Sequence, residues 1–236
     1  MLSLTFKKYF SKGSFKSIFK TKIHLLYFIV IPVFFAIAGV NVKNDITNYD
    51  LNSVDPEMAY LYNGLMITQG WICHFVDHPG IPLQYLSAGV ILVVNIFRDA
   101  GIEEDVIKNP NLYIHAITFT IIFIQSLLLL FAGIYIARLY KSRFAGLHIQ
   151  LTPFISVYYM GMANRLLPEY FSFTPVILFN LFLCKYIYDY ENGVVRKNWF
   201  YPLIFAVILG FALSVKITLA TIAIVPFIVI KGYKNK

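Results

Sequence analysis

The chain has 236 residues, of which 58% are hydrophobic, 17% aromatic and only 14% charged, and its mean hydropathy is +0.68. Soluble domains carry about a quarter charged residues, so a soluble fold is excluded, and apolar blocks long enough to cross a bilayer point to an all-α polytopic membrane protein. The net charge of +8 comes from Lys and Arg gathered at the ends of these blocks, where they read as topology signals and not as a nucleic-acid surface. Two cysteines, Cys73 and Cys184, far apart in sequence, support neither a disulfide framework nor a thiolate metal site.

Residues 1–22 form a basic arm, with Lys7, Lys8, Lys12, Lys16, Lys20 and Lys22 interleaved with Phe and Tyr and no acidic residue. Such an arm belongs on the cytoplasmic face. Residues 23–236 make one membrane domain. Its first apolar block, 24–40, is expected to be a transmembrane helix; a signal peptide is the rival reading, since Ala36-Ile37-Ala38 resembles a cleavage site. A polar segment follows over 42–82, then apolar residues 81–97, and then the acidic stretch 98–111 with Asp99, Glu103, Glu104 and Asp105. Further apolar blocks cover 112–137, 146–163, 170–188, 200–215 and 217–230.

Whether 81–97 crosses decides the topology. If it crosses, the 20 Lys and Arg divide evenly between the two faces. If it stays outside, most of them, namely the arm, Arg138, Lys141, Arg143, Lys185, Arg196, Lys197, Lys231, Lys234 and Lys236, lie inside. The positive-inside rule selects the second arrangement. It has about six transmembrane helices, both termini cytoplasmic and a large first outer loop, 41–111, with juxtamembrane helices near 56–70 and 82–97. In the second of these Gln84, Ser87, Ala88 and Asn95 share a face, as in a helix at the interface or packed on the bundle.

Ser53-Val54-Asp55-Pro56-Glu57 is a helix start: Asp55 suits the N-cap, Pro56 the first turn and Glu57 the positive end of the dipole. Capping is the plain role for Asp55, yet a carboxylate at the water–membrane boundary can also accept a proton from a bound hydroxyl. Asp77-His78-Pro79-Gly80-Ile81-Pro82 sets a stiff turn that holds Asp77 and His78 at a helix entrance. Arg165 and Glu169 flank a short outer turn, and Lys216 lies between the last two apolar blocks. Carboxylates that activate an acceptor, with cations that hold a phosphate leaving group, are the minimum set for transfer from a lipid phosphate donor. Boundary charges that merely anchor helices are the structural alternative. No protein-only zinc site is expected, whereas a divalent cation held by carboxylates and a phosphate is compatible with the set.

Two motifs carry a family resemblance. Asp55-Pro56-Glu57-Met58-Ala59-Tyr60 and His78-Pro79-Gly80-Ile81-Pro82-Leu83 resemble the outer-loop motifs of GT-C membrane glycosyltransferases, the protein O-mannosyltransferase and aminoarabinose transferase group in particular. Glu169 after further helices, and a Gly-containing helix ending at Lys216, follow in the same order. The resemblance runs from His24 to Ile230 and corresponds to the N-terminal half of such enzymes. It implies inverting transfer of a sugar from a polyprenyl-phosphate or polyprenyl-diphosphate carrier to a protein, lipid or glycan acceptor on the outer face of the plasma or inner membrane. By that resemblance Asp55 is the leading base and Glu57 joins it in the catalytic pair. Asp77, His78, Arg165, Glu169 and Lys216 would bind substrate or phosphate. A non-catalytic membrane component, such as a transporter, an assembly subunit or a truncated remnant, is the alternative function.

Overall fold

The computed structural model describes residues 22–45, 57–72, 80–161, 165–193 and 200–225. Among them the secondary structure is entirely helical: α1 (Lys22–Asp45), α2 (Glu57–Thr68), α3 (Ile81–Asn95), α4 (Ile102–Lys108), α5 (Pro110–Leu139), α6 (Arg143–Gln150), a 3-10 turn (Thr152–Ile155), α7 (Val157–Gly161), α8 (Pro168–Phe171), α9 (Phe173–Glu191), α10 (Phe200–Val215) and a second 3-10 segment (Ile217–Ala223). Three stretches, Leu26–Asn44, Pro110–Leu139 and Pro168–Glu191, are long and apolar enough to cross a membrane. The arm 1–21 and residues 226–236, which include the end of the last apolar block, lie outside the described residues.

α5 is the central post. At 30 residues it is about 45 Å long, and α1, α6, α9 and α3 all pack on it. Its buried stripe of Tyr113, Ile114, Ile117, Ile121, Ile122 and Leu129 supplies the core. Gly39 of α1 lies against Ile122, where an added Cβ would come within 3.2 Å of its side chain, while Phe28, earlier in α1, and Leu129, later in α5, share the Gln150 amide, so α1 and α5 are closely apposed and antiparallel.

The continuous helix expected over 146–163 is broken: the described residues there form two short helices and a 3-10 turn. α6 packs on α1 and α5, and α7 returns to α1; Gly146 allows the close approach, since a Cβ there would lie 2.3 Å from the Gly133 carbonyl oxygen, and Pro153 in the 3-10 turn interrupts the helix. Buried polar side chains tie this segment to the helices around it. Gln150 donates to the Phe28 and Leu129 carbonyls at 2.9 and 3.1 Å. Gln125 donates to the Tyr170 carbonyl at 2.8 Å and accepts from the Tyr159 hydroxyl at 2.8 Å. Apolar composition alone conceals such a break, since the polar residues that support it are few.

α2 and α3 form a parallel pair, with Tyr60 against Gly80 and Gly64 against Ser87. A Cβ on Gly64 would lie 2.7 Å from that of Ser87, the small-residue contact that lets helices approach closely. The polar face read in the sequence is the packing face: Gln84, Ser87 and Ala88 are buried, while Asn95, at the end, donates to Ala100 O at 3.3 Å. Beyond α3, Arg98 holds Asp105 through two bonds of 2.9 and 2.7 Å, and Tyr113 and Asn109 donate to the same carboxylate at 2.6 and 2.7 Å. These donors keep the Asp105 carboxyl well below the usual carboxylate range.

Candidate functional site

Charged side chains collect at two ends of the helix bundle. At one end α1 runs a full turn past its apolar block, to Asp45, which places Lys43 on the helix with a side chain only 5% exposed. Its ammonium lies 3.6 Å from Glu57 Oε1. Glu57 is the first residue of α2, and the same oxygen accepts the backbone N–H of Leu166 at 2.5 Å. One carboxylate thus joins the end of α1, the start of α2 and the approach to α8. Arg165 brings a further positive charge within electrostatic reach of Lys43.

Lys216 follows the last residue of α10 and donates to Glu169, in the first turn of α8. Glu169 and the burial of the Tyr60 phenol together hold that phenol in its neutral form, burial being the larger cause. Tyr60 closes the first sequence motif, and its fully buried ring packs against Gly80 of the second. An added Cβ on Gly80 would come within 2.6 Å of that ring. A glycine is therefore needed there for closeness, not for backbone freedom.

Glu57, Arg165, Glu169 and Lys216, singled out in the sequence, are brought to one end of the bundle. Asp55, Asp77 and His78 lie outside the described residues. Sequence reasoning missed Lys43 and the Leu166 N–H. A cation at the C-terminal end of a helix favours that end of the dipole, which was the available signal that α1 extends through Lys43. Among the described residues no three His, Cys, Asp or Glu side chains gather as metal ligands. An open depression lined by Gln69, Ile102, Glu103, Glu104 and Ile107 lies beside α4, and none of the cluster residues lines it.

At the other end Lys185 donates to both carboxylate oxygens of the buried Asp189 at 2.5 Å, and Tyr201 donates to the same group. Tyr140 donates to Cys184 O at 3.0 Å and packs edge-on against Tyr188. Comparison with protein-family models, curated proteins and solved structures finds no match to this chain.

Proposed function

We propose that the chain is a membrane glycosyltransferase module that moves a sugar from a polyprenyl-phosphate-linked donor to a protein, lipid or glycan acceptor. The observation that carries this reading is the convergence of Lys43, Glu57, Arg165, Glu169 and Lys216 from separate segments of the chain onto one end of the bundle. The contact between the two motifs at Tyr60 and Gly80 supports it further. Such a convergence supplies cations for a phosphate leaving group beside carboxylates for the acceptor.

In this reading Asp55 takes the proton of the acceptor hydroxyl as that oxygen attacks the anomeric carbon, and the bond to the carrier phosphate breaks with inversion. Arg165 and Lys216 stabilise the charge that develops on the phosphate. Glu57, committed to Lys43 and Leu166, fixes the start of α2 two residues after Asp55. Asp77 and His78 enter from the second motif, and no step is routed through a metal.

The bundle sits in the plasma or inner membrane with about six crossings, both termini cytoplasmic and the cluster at the outer face. The spacing of the charges supports this placement. Glu169 and Asp189, and likewise the α1 positions of Lys22 and Lys43, are each about 30 Å apart at the rise of an α-helix, which is the thickness of the hydrocarbon core. The two charged ends then fall at the two membrane boundaries, and α2 to α4 lie on the outer one.

A non-catalytic role, as a transporter or assembly subunit, is favoured by one observation: both described carboxylates of the cluster already have a cation partner. Transfer from labelled polyprenyl-phosphate sugars by the protein in liposomes separates the two. Asp55→Asn is expected to lower transfer by about 10²–10⁴-fold with normal insertion, and Arg165→Gln to raise the KM for the donor. Full transfer by Asp55→Asn removes Asp55 as the base. No transfer by the wild-type protein with any carrier, together with loss of assembly or transport in the Glu169 and Lys216 variants, establishes the second reading.

A further inference from the structure

We propose that the turn joining α5 to α6 is a docking surface for the anionic headgroups of the lipid leaflet at that end of the bundle. This inference does not depend on sugar transfer. The turn places Arg138, Lys141 and Arg143 within six residues of one another, and Lys141 and Arg143 are exposed. No Asp or Glu occurs anywhere between Asp105 and Glu169. The acidic groups that come near this end are on α9: Asp189, which Lys185 and Tyr201 already occupy, and Glu191.

The turn is also sharp and locally fixed. Lys141 has φ 50, and Ser142 caps α6 by accepting from the Ala145 N–H at 3.3 Å. Directly after the cations comes Phe144, 78% exposed, with its ring beside that of His148 at 6.0 Å; Tyr140, at 37% exposed, lies between Arg138 and Lys141. Cations next to exposed aromatic side chains, at the end of helices long enough to cross a bilayer, fit a phosphate headgroup whose acyl chains lie alongside. A guanidinium and an ammonium supply charge-assisted donors to the phosphate oxygens, while Phe144 enters the acyl boundary. A soluble anion would have no use for the exposed rings.

The test uses the full chain in phosphatidylcholine nanodiscs carrying spin-labelled phosphatidylglycerol or spin-labelled phosphatidylcholine. The wild-type protein is expected to immobilise the anionic probe several-fold more than the zwitterionic one, with the preference falling in 0.5 M salt as screening shortens to about 3–5 Å. Lys141→Gln with Arg143→Gln should bring the ratio close to one, and Lys108→Gln, at the end of α4, should leave it unchanged. Should the double variant fold poorly, the single exposed Lys141→Gln still lowers the ratio by at least a third. Equal retention of the two probes by the wild-type protein overturns the proposal, and so does an unchanged ratio in the variants. Abolition of the preference by 10 mM inorganic phosphate at constant ionic strength also overturns it, because the turn would then be a site for a soluble anion.

Discussion

The two ends of the bundle use charge in opposite ways. Around Asp189 the partners are close in sequence: Lys185 is one helical turn away, and Tyr201 lies just across the α9–α10 connection. That arrangement ties neighbouring parts of one hairpin. At the opposite end Glu57 reaches Lys43 on another helix and the Leu166 N–H more than a hundred positions away, and Lys216 reaches Glu169 across two helices. Local pairing stabilises an element, whereas long-range pairing specifies where distant segments meet, which is what a binding or reacting site requires.

Lys43→Met should break this contrast most strongly. It leaves Glu57 confined and without its cation, at a cost of about 3 kcal/mol, read as a lower Tm in detergent, and adding Glu57→Gln should restore most of the loss. Next in size is Gly80→Ala, which forces the buried Tyr60 ring aside and costs about 2 kcal/mol by overpacking; hydrogen exchange should quicken in α2 and α3 together. Tyr201→Phe removes one donor from Asp189 and should cost about 1 kcal/mol. Faster exchange there should stay within α9 and α10, and a spread to α1 or α2 would erase the distinction between the ends.

Smaller still is Lys216→Gln, expected to change stability by less than about 1 kcal/mol because both partners are part-exposed, while impairing donor use in the transfer assay. The last effect appears only in acid. Asp105 has a lowered carboxyl pKa, so its contribution is complete above the unfolded value of about 3.9 and is lost as pH falls through the folded one. Stability measured from pH 5 down to pH 2 should show this limb, and Asp105→Asn should flatten it.

Much of the helical arrangement was legible because apolar blocks between polar breaks specify it: the 200–215 block coincides with α10, and 170–188 lies within the stretch from α8 to α9. The polar face of α3 was legible as a face, though not that α2 would cover it. Lys43 was not, since an apolar block ends where hydrophobicity ends while a helix continues for as long as its hydrogen bonds do. The interruption at 151–156 was hidden for a related reason. Hydropathy averages over the few residues, Gln125 and Gln150 among them, whose amides anchor the broken segment to neighbouring helices.

That interruption bears on how the chain is made. Among the described residues of 143–166 the longest helix is the eight-residue α6, too short to cross a bilayer by itself, so any part of the segment that meets lipid depends on neighbouring helices to shield its irregular peptide groups. The carbonyls that Gln150 engages belong to Phe28 and Leu129, in helices synthesised earlier. In the proposed six-crossing arrangement biogenesis then has an order, with α1 and α5 in place before this stretch settles against them as on a template.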